Sequence, residues 1–129
     1  MRLAVSRYNR DMATRRAGGG RKIRQITPRL IDQMARRLAR RFKPEQIILF
    51  GSHARGTAGP DSDVDLLVVM QLTGSKRDKE IEMRVALHDI LVPFDIIVVT
   101  PDEVARRRNI PGTIIRPALL EGKVLYIRS

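Results

Sequence analysis

The sequence predicts a two-layer α/β (α+β) domain, on three observations. Short β-branched apolar runs alternate with amphipathic or capped helical stretches in the order α-β-(turn)-β-α-β-α-α-β, with no internal repeat. The 129 residues are 43% apolar, enough to bury a core without disulfides or structural metal. No linker composition interrupts the chain after residue 23, so residues 23–129 read as one domain.

The first helix opens at Thr27-Pro28, an N-cap followed by proline at the first helical position. At about 100° per residue, Leu30, Ile31, Met34, Ala35, Leu38 and Phe42 fall within an arc of roughly 140°. Arg29, Arg36, Arg37, Arg40 and Lys43 take the other side, and Pro44 ends the helix. Gln46–Phe50 reads as a short buried strand stopped by Gly51. Residues 51–62, rich in Gly, Ser, Thr, Pro and Ala, form a loop with room for one helical turn. Asp63–Met70 is a β-branched strand, and Lys76–Leu91 a helix with Ile81, Val85, Leu87 and Leu91 available for its buried face. Phe94–Thr100 is another buried strand, and Thr100-Pro-Asp-Glu103 has the form of a capping box that starts a short helix. Residues 113–121 form a last helix closed by Gly122, and Val124–Ile127 a final strand.

Charge divides the chain unevenly. Residues 1–43 hold 14 of the 25 Lys and Arg against only Asp11 and Asp32, so the whole excess behind the net charge of +11 lies there. Residues 1–22, with six arginines and Gly18-Gly19-Gly20, bury too little apolar surface to offset the entropy of ordering and read as a flexible basic arm. Met12 is a second candidate start within it. The arm and the arginine face of the first helix could meet nucleic-acid phosphates, but the few aromatics (Tyr8, Phe42, Phe50, Phe94, Tyr126) supply no stacking platform, so nucleic acid is not the favoured partner.

Several function classes are excluded. With no cysteine there is no disulfide, thiolate zinc site or cysteine nucleophile. His53 and His88 stand too far apart in sequence to suggest a histidine metal cluster; His88, read as mid-helix, suits a structural role, and His53 an exposed one. No apolar run approaches the ~18 residues of a membrane span, and a cytoplasmic setting is the expectation.

The chemistry gathers on three carboxylates. Asp63 and Asp65 stand two apart in Asp-Val-Asp-Leu-Leu-Val-Val and so project from one face of a strand. Asp95 interrupts the apolar run Pro-Phe-Asp-Ile-Ile-Val-Val. An ionised carboxylate buried alone costs several kcal/mol or more, so a cation must offset it. Arg55 is the nearest base in the body apart from residues brought in by folding. A divalent metal is the natural alternative, and hard oxygen donors without His or Cys select Mg²⁺ or Mn²⁺. Three such carboxylates suit two ions about 3.5–4 Å apart, the arrangement that clamps attacking and leaving oxygens in phosphoryl chemistry. Gly51-Ser52-His53-Ala54-Arg55-Gly56 follows a strand directly, where amides and a hydroxyl can hold phosphate; no Gly-Lys-Ser/Thr follows, so it is not a Walker A loop.

The combination of Gly51-Ser52, ten residues, Asp63-Val64-Asp65 and the later Asp95 resembles the DNA polymerase β-like nucleotidyltransferase superfamily. The surrounding Ile-Ile-Leu-Phe-Gly-Ser-His-Ala-Arg-Gly and Ser-Asp-Val-Asp-Leu-Leu-Val are similar to the minimal nucleotidyltransferases of prokaryotes, often antitoxins paired with HEPN-domain toxins. The resemblance covers about residues 27–128 and leaves out the basic arm. It implies a small mixed sheet with helices packed on one face. It further implies that Asp63 and Asp65 bind both metals and through them the nucleotide phosphates, and that Asp95 completes the catalytic metal site and helps activate the incoming hydroxyl. Gly51 and Ser52 would hold the β- and γ-phosphates, with Arg55 structural or phosphate-facing. The implied activity is Mg²⁺-dependent transfer of a nucleoside monophosphate, AMP from ATP before other NTPs, to a hydroxyl on a partner such as a HEPN toxin. A chain of this length leaves acceptor choice to its own surface or to a partner. The competing readings are an antitoxin that acts by occlusion alone and a basic nucleic-acid-binding protein sharing the fold.

Overall fold

The computed structural model describes residues 25–59 and 61–129; the expected basic arm, residues 1–22, lies outside them. The elements in chain order are α1 (Pro28–Phe42), β1 (Gln46–Phe50), α2 (Ser52–Arg55), β2 (Val64–Val69), α3 (Lys76–Ala86), β3 (Phe94–Val99), α4 (Pro101–Arg107), α5 (Ile115–Glu121) and β4 (Lys123–Ile127). This is the order the sequence predicts, and the fold class is the predicted mixed α/β.

Local chemistry sets the element ends. Thr27 Oγ1 accepts the Leu30 N–H at 3.1 Å, and Lys43 closes α1 in the left-handed conformation just before Pro44. Ser75 caps α3 by accepting the Asp78 N–H, and Thr100 and Glu103 complete the capping box that starts α4.

The sheet runs β3-β2-β1-β4. β1 is antiparallel to both neighbours, whereas β2 and β3 are parallel and joined through α3. Alternation along the strands divides the apolar residues between two faces. Ile47, Leu49, Leu66, Val68, Phe94, Ile96 and Val98 join Met34 and Leu38 of α1 and Met83 of α3 in the main core. Each fully buried aliphatic side chain there contributes about 1.5–3 kcal/mol. Ile48, Phe50, Leu67, Val69 and Val99 pack on the other side with Ile115 and Ala118 of α5. Helices therefore cover both faces, where the resemblance implied one. The strands are apolar at consecutive positions, and the second apolar set would otherwise face water.

The buried stripe of α3 is also shifted from the expected one. Met83, Ala86, Leu87 and Ile90 point inward, while Ile81 and Val85 are 46% and 60% exposed. The helix stops at Ala86, and His88 sits exposed in the following turn rather than in mid-helix. Arg37 of α1 ties this turn to the main layer through Asp89 and the Ala86 carbonyl.

The outer edge of β3 is closed by α3. Glu80 Oε2 accepts the Val98 N–H at 2.9 Å, and Arg84 Nη2 lies 3.4 Å from the Ile96 carbonyl. On the opposite side, Gly122 lets α5 turn into β4. A Cβ there would stand 2.2 Å from the Ala118 carbonyl oxygen, 2.6 Å from Ile48 Cγ2 and 2.8 Å from the Leu49 carbonyl oxygen. Gly122→Ala is expected to cost about 1–3 kcal/mol of stability, read as a lowered denaturant midpoint. An unchanged midpoint would show that the α5–β4 corner opens freely. Among the described residues no helix is long and apolar enough to cross a membrane.

Candidate active site

The C-terminal end of β1 and the N-terminal ends of β2 and β3 meet at one end of the sheet. Phe50 pairs with Asp65 across β1 and β2, and Asp65 is directly in register with Asp95 across the parallel pair. Residues in register project to the same face, which here is the one opposite the main core, since Leu66 and Ile96 point into that core. Asp63, two residues before Asp65, lies just ahead of β2 rather than in it, as the strand begins at Val64. Asp63, Asp65 and Asp95 are 5%, 1% and 3% exposed, the only buried charged residues among those described.

The turn after β1 adjoins these carboxylates. Gly51 has φ 77° and ψ −158°, a region essentially reserved for glycine. A Cβ on it would stand 2.3 Å from Asp65 Oδ2, so the Asp65 carboxylate packs directly against the Gly51 backbone. Ser52 is the first residue of α2, whose Ala54 and Arg55 amides both donate to the Gly51 carbonyl at 3.1 Å. His53 is half-buried rather than exposed. Its Nε2 stands 3.1 Å from the Ser62 carbonyl oxygen and so ties α2 to the segment leading into Asp63. Arg55 points instead toward α5, 3.7 Å from Glu121, a half-exposed pair worth at most about 1 kcal/mol. The structure thus brings Asp63, Asp65, Asp95, Gly51 and Ser52 to one end of the sheet and engages Arg55 at its margin.

Sequence reasoning missed Arg84. Its Nη2 donates to Asp95 Oδ1 at 3.0 Å, and the two side chains are 14% and 4% exposed. Asp95 Oδ1 also accepts the Ile96 N–H at 3.0 Å. Burial pushes the Asp95 carboxyl above the usual range, against the pull of the Arg84 guanidinium and the Ile96 amide. The signal was present: Glu80 and Arg84 lie one turn apart on a helix that leads to a strand with a lone carboxylate. Only the placing of α3 along the β3 edge makes that spacing meaningful.

The donor set is three carboxylates, the hard-oxygen chemistry of Mg²⁺ or Mn²⁺. Among the described residues no three His, Asp or Glu side chains form a group that could by itself hold a metal ion. Mg²⁺ is usually held by one or two carboxylates together with substrate phosphates. The residues fit a cation that arrives with a polyphosphate.

Comparison with known proteins gives a concordant picture. The family model described as "Nucleotidyltransferase domain" matches residues 31–116. The chain is 39% identical over 67 residues to the curated "Putative protein adenylyltransferase MJ1305" of Methanocaldococcus jannaschii. That match covers 50% of this chain and 44% of the relative, so the chain aligns with less than half of that protein's length. Among solved structures, a toxin–antitoxin with AMP-PNP aligns with a TM-score of 0.51 and 21% identity over 76% of this chain and 74% of its own. A mutant of the toxin–antitoxin MntA-HpeT aligns with a TM-score of 0.55 and 19% identity over the same shares. At such identities the two structures show the fold.

Proposed function

The chain belongs to the nucleotidyltransferase domain family, and from that premise we propose that it transfers a nucleoside monophosphate, AMP from ATP before other NTPs, to a hydroxyl on a partner protein. The observation that carries this reading is the direct register of Asp65 with Asp95 beside the close-packed Gly51 turn. Two strand carboxylates and a glycine turn at the same end of the sheet support this reading.

Asp63 and Asp65 would hold Mg²⁺, with Mn²⁺ as a substitute, and Asp95 would complete the set; two ions suit the three carboxylates. The metal supplies charge neutralisation on the phosphate oxygens. Gly51 and Ser52 bind the β- and γ-phosphates through the backbone amides and the hydroxyl that start α2. Arg55 adds positive charge at the rim. The acceptor oxygen attacks the α-phosphorus, the bond from that phosphorus to the bridging oxygen breaks, and pyrophosphate leaves. Asp95 helps to activate the acceptor hydroxyl and receives its proton. Most of the acceleration comes from alignment and from charge compensation.

The acceptor and its context are part of the same proposal. A partner toxin of the HEPN type, modified on a hydroxyl, fits a chain similar to a named protein adenylyltransferase and to toxin–antitoxin folds. A cytoplasmic setting supplies ATP and Mg²⁺. Residues 1–22 are read as a separate basic arm outside the catalytic domain.

The decisive experiment incubates the protein with Mg²⁺, each α-labelled NTP and candidate acceptor proteins encoded beside it. Label on a protein acceptor, strongest from ATP and lost with chelator, is the expected result. No label on any acceptor, with the partner nonetheless neutralised, would overturn it. That second outcome belongs to an antitoxin acting by occlusion. One observation favours it: the Arg84 guanidinium, 3.0 Å from Asp95, gives that carboxylate a counter-charge from the protein itself.

A further inference from the structure

We propose that Arg84 is a positioning residue for Asp95, holding one carboxylate oxygen from behind so that the other is the oxygen presented to the reacting groups. The inference rests on the nucleotidyltransferase reading of the site and adds a residue to it.

Three features of the geometry carry it. First, both hydrogen bonds to Asp95 fall on the same atom: Arg84 Nη2 and the Ile96 N–H each donate to Oδ1 at 3.0 Å. Oδ2 takes no hydrogen bond among the described residues. A carboxylate anchored at one oxygen by two donors from different directions has its plane and its χ1 set, which is what a reacting group requires. Second, Arg84 comes from the far side of the sheet. Its helix packs Met83 into the main core, while Asp95 projects from the opposite face. The guanidinium passes the outer edge of β3, where the 3.4 Å contact to the Ile96 carbonyl steadies it, and Glu80 holds Val98 one turn earlier. It therefore supports Asp95 without occupying the space shared with Asp63 and Asp65. Third, the arrangement is poor as a stability device. Arg84 Nε is buried without a hydrogen-bond partner among the described residues, and its partner is a buried carboxylate. A buried ion pair is commonly no more stable than an apolar pair of the same shape, and an unsatisfied donor makes it worse. A cost of that kind goes with a group held for its orientation.

The test uses Arg84→Gln, Arg84→Lys, Asp95→Asn and the Arg84→Gln/Asp95→Asn double variant in the full chain. Arg84→Gln is expected to lower kcat by about tenfold or more, with KM for the nucleotide changed by less than about twofold. Arg84→Lys restores part of the rate, because a single ammonium can still meet Oδ1 but lacks the planar fork. In the Asp95→Asn background the Arg84 substitution adds no further loss. A wild-type kcat in Arg84→Gln, or losses that multiply in the double variant, would overturn the proposal. Should Arg84→Gln fail to fold, Arg84→Lys decides by the same split between kcat and KM. The unfolding midpoint supplies a readout that needs no transfer. Arg84→Gln should lower it when Asp95 is present and much less in the Asp95→Asn background; equal drops in both backgrounds count against the pairing. A wild-type protein that transfers nothing while this coupling persists would defeat the proposed activity, and the positioning role with it, and leave only the Arg84–Asp95 pairing standing.

Discussion

Asp63→Asn is expected to lower nucleotidyl transfer by about 10²–10³-fold or more while the protein stays folded. The substitution keeps the shape of the side chain and removes one of the charges available to a cation. Asp63 is 5% exposed, and a buried carboxylate carries a desolvation cost of several kcal/mol before any compensation. Removing that charge in the metal-free protein should lower the unfolding free energy by no more than about 1 kcal/mol. The paired measurement is a melting curve and the label-transfer assay on the same preparation. An unfolded variant would assign Asp63 to the architecture, and a folded variant with wild-type transfer would remove it from the chemistry. A folded, inactive variant that still neutralises its partner would move the biological role to occlusion.

Gly51→Ala should damage stability and transfer together. The backbone at Gly51 lies where other residues pay about 1–3 kcal/mol, and the new Cβ would meet Asp65 Oδ2 at 2.3 Å. Either the turn shifts or the Asp65 carboxylate is displaced, and a misplacement of about 1 Å at a reacting centre costs on the order of 10²-fold in rate. Gly56→Ala is the control. It has the same φ of 77°, but nothing lies within 4 Å of its Cβ. It should lose about 1 kcal/mol of stability and keep its rate. Equal rate losses in the two variants would mean that backbone strain, and not the close approach to Asp65, is what the site feels.

Legibility in the sequence varied with the kind of physics involved. α1 and β1 match their predicted bounds because a proline-opened amphipathic helix and a β-branched run between breakers are local signals. The turn-rich stretch after Gly51 also contains the single helical turn expected of it. α3 was less legible. Ile81 and Val85 look as apolar as Met83, and only the direction from which the helix meets the sheet decides which stripe is buried. His53 looked exposed because its partner is a backbone carbonyl nine residues away, which no spacing rule reveals. Arg55 reads as structural or phosphate-facing from its place after the glycine turn, and its side chain lies 3.7 Å from Glu121 at the end of α5, a contact that no local spacing reveals.

What the sequence by itself determined is the inventory of elements and the three acidic positions, because hydrophobic period, capping chemistry and a carboxylate inside an apolar run are properties of short segments. Tertiary structure alone decided that helices cover both faces of the sheet, that Asp65 and Asp95 share a register, and that Arg84 reaches Asp95 around an edge. Those facts depend on which strands lie side by side and on the side from which each helix arrives. Such geometry is set by long-range packing and leaves no periodic trace in the chain.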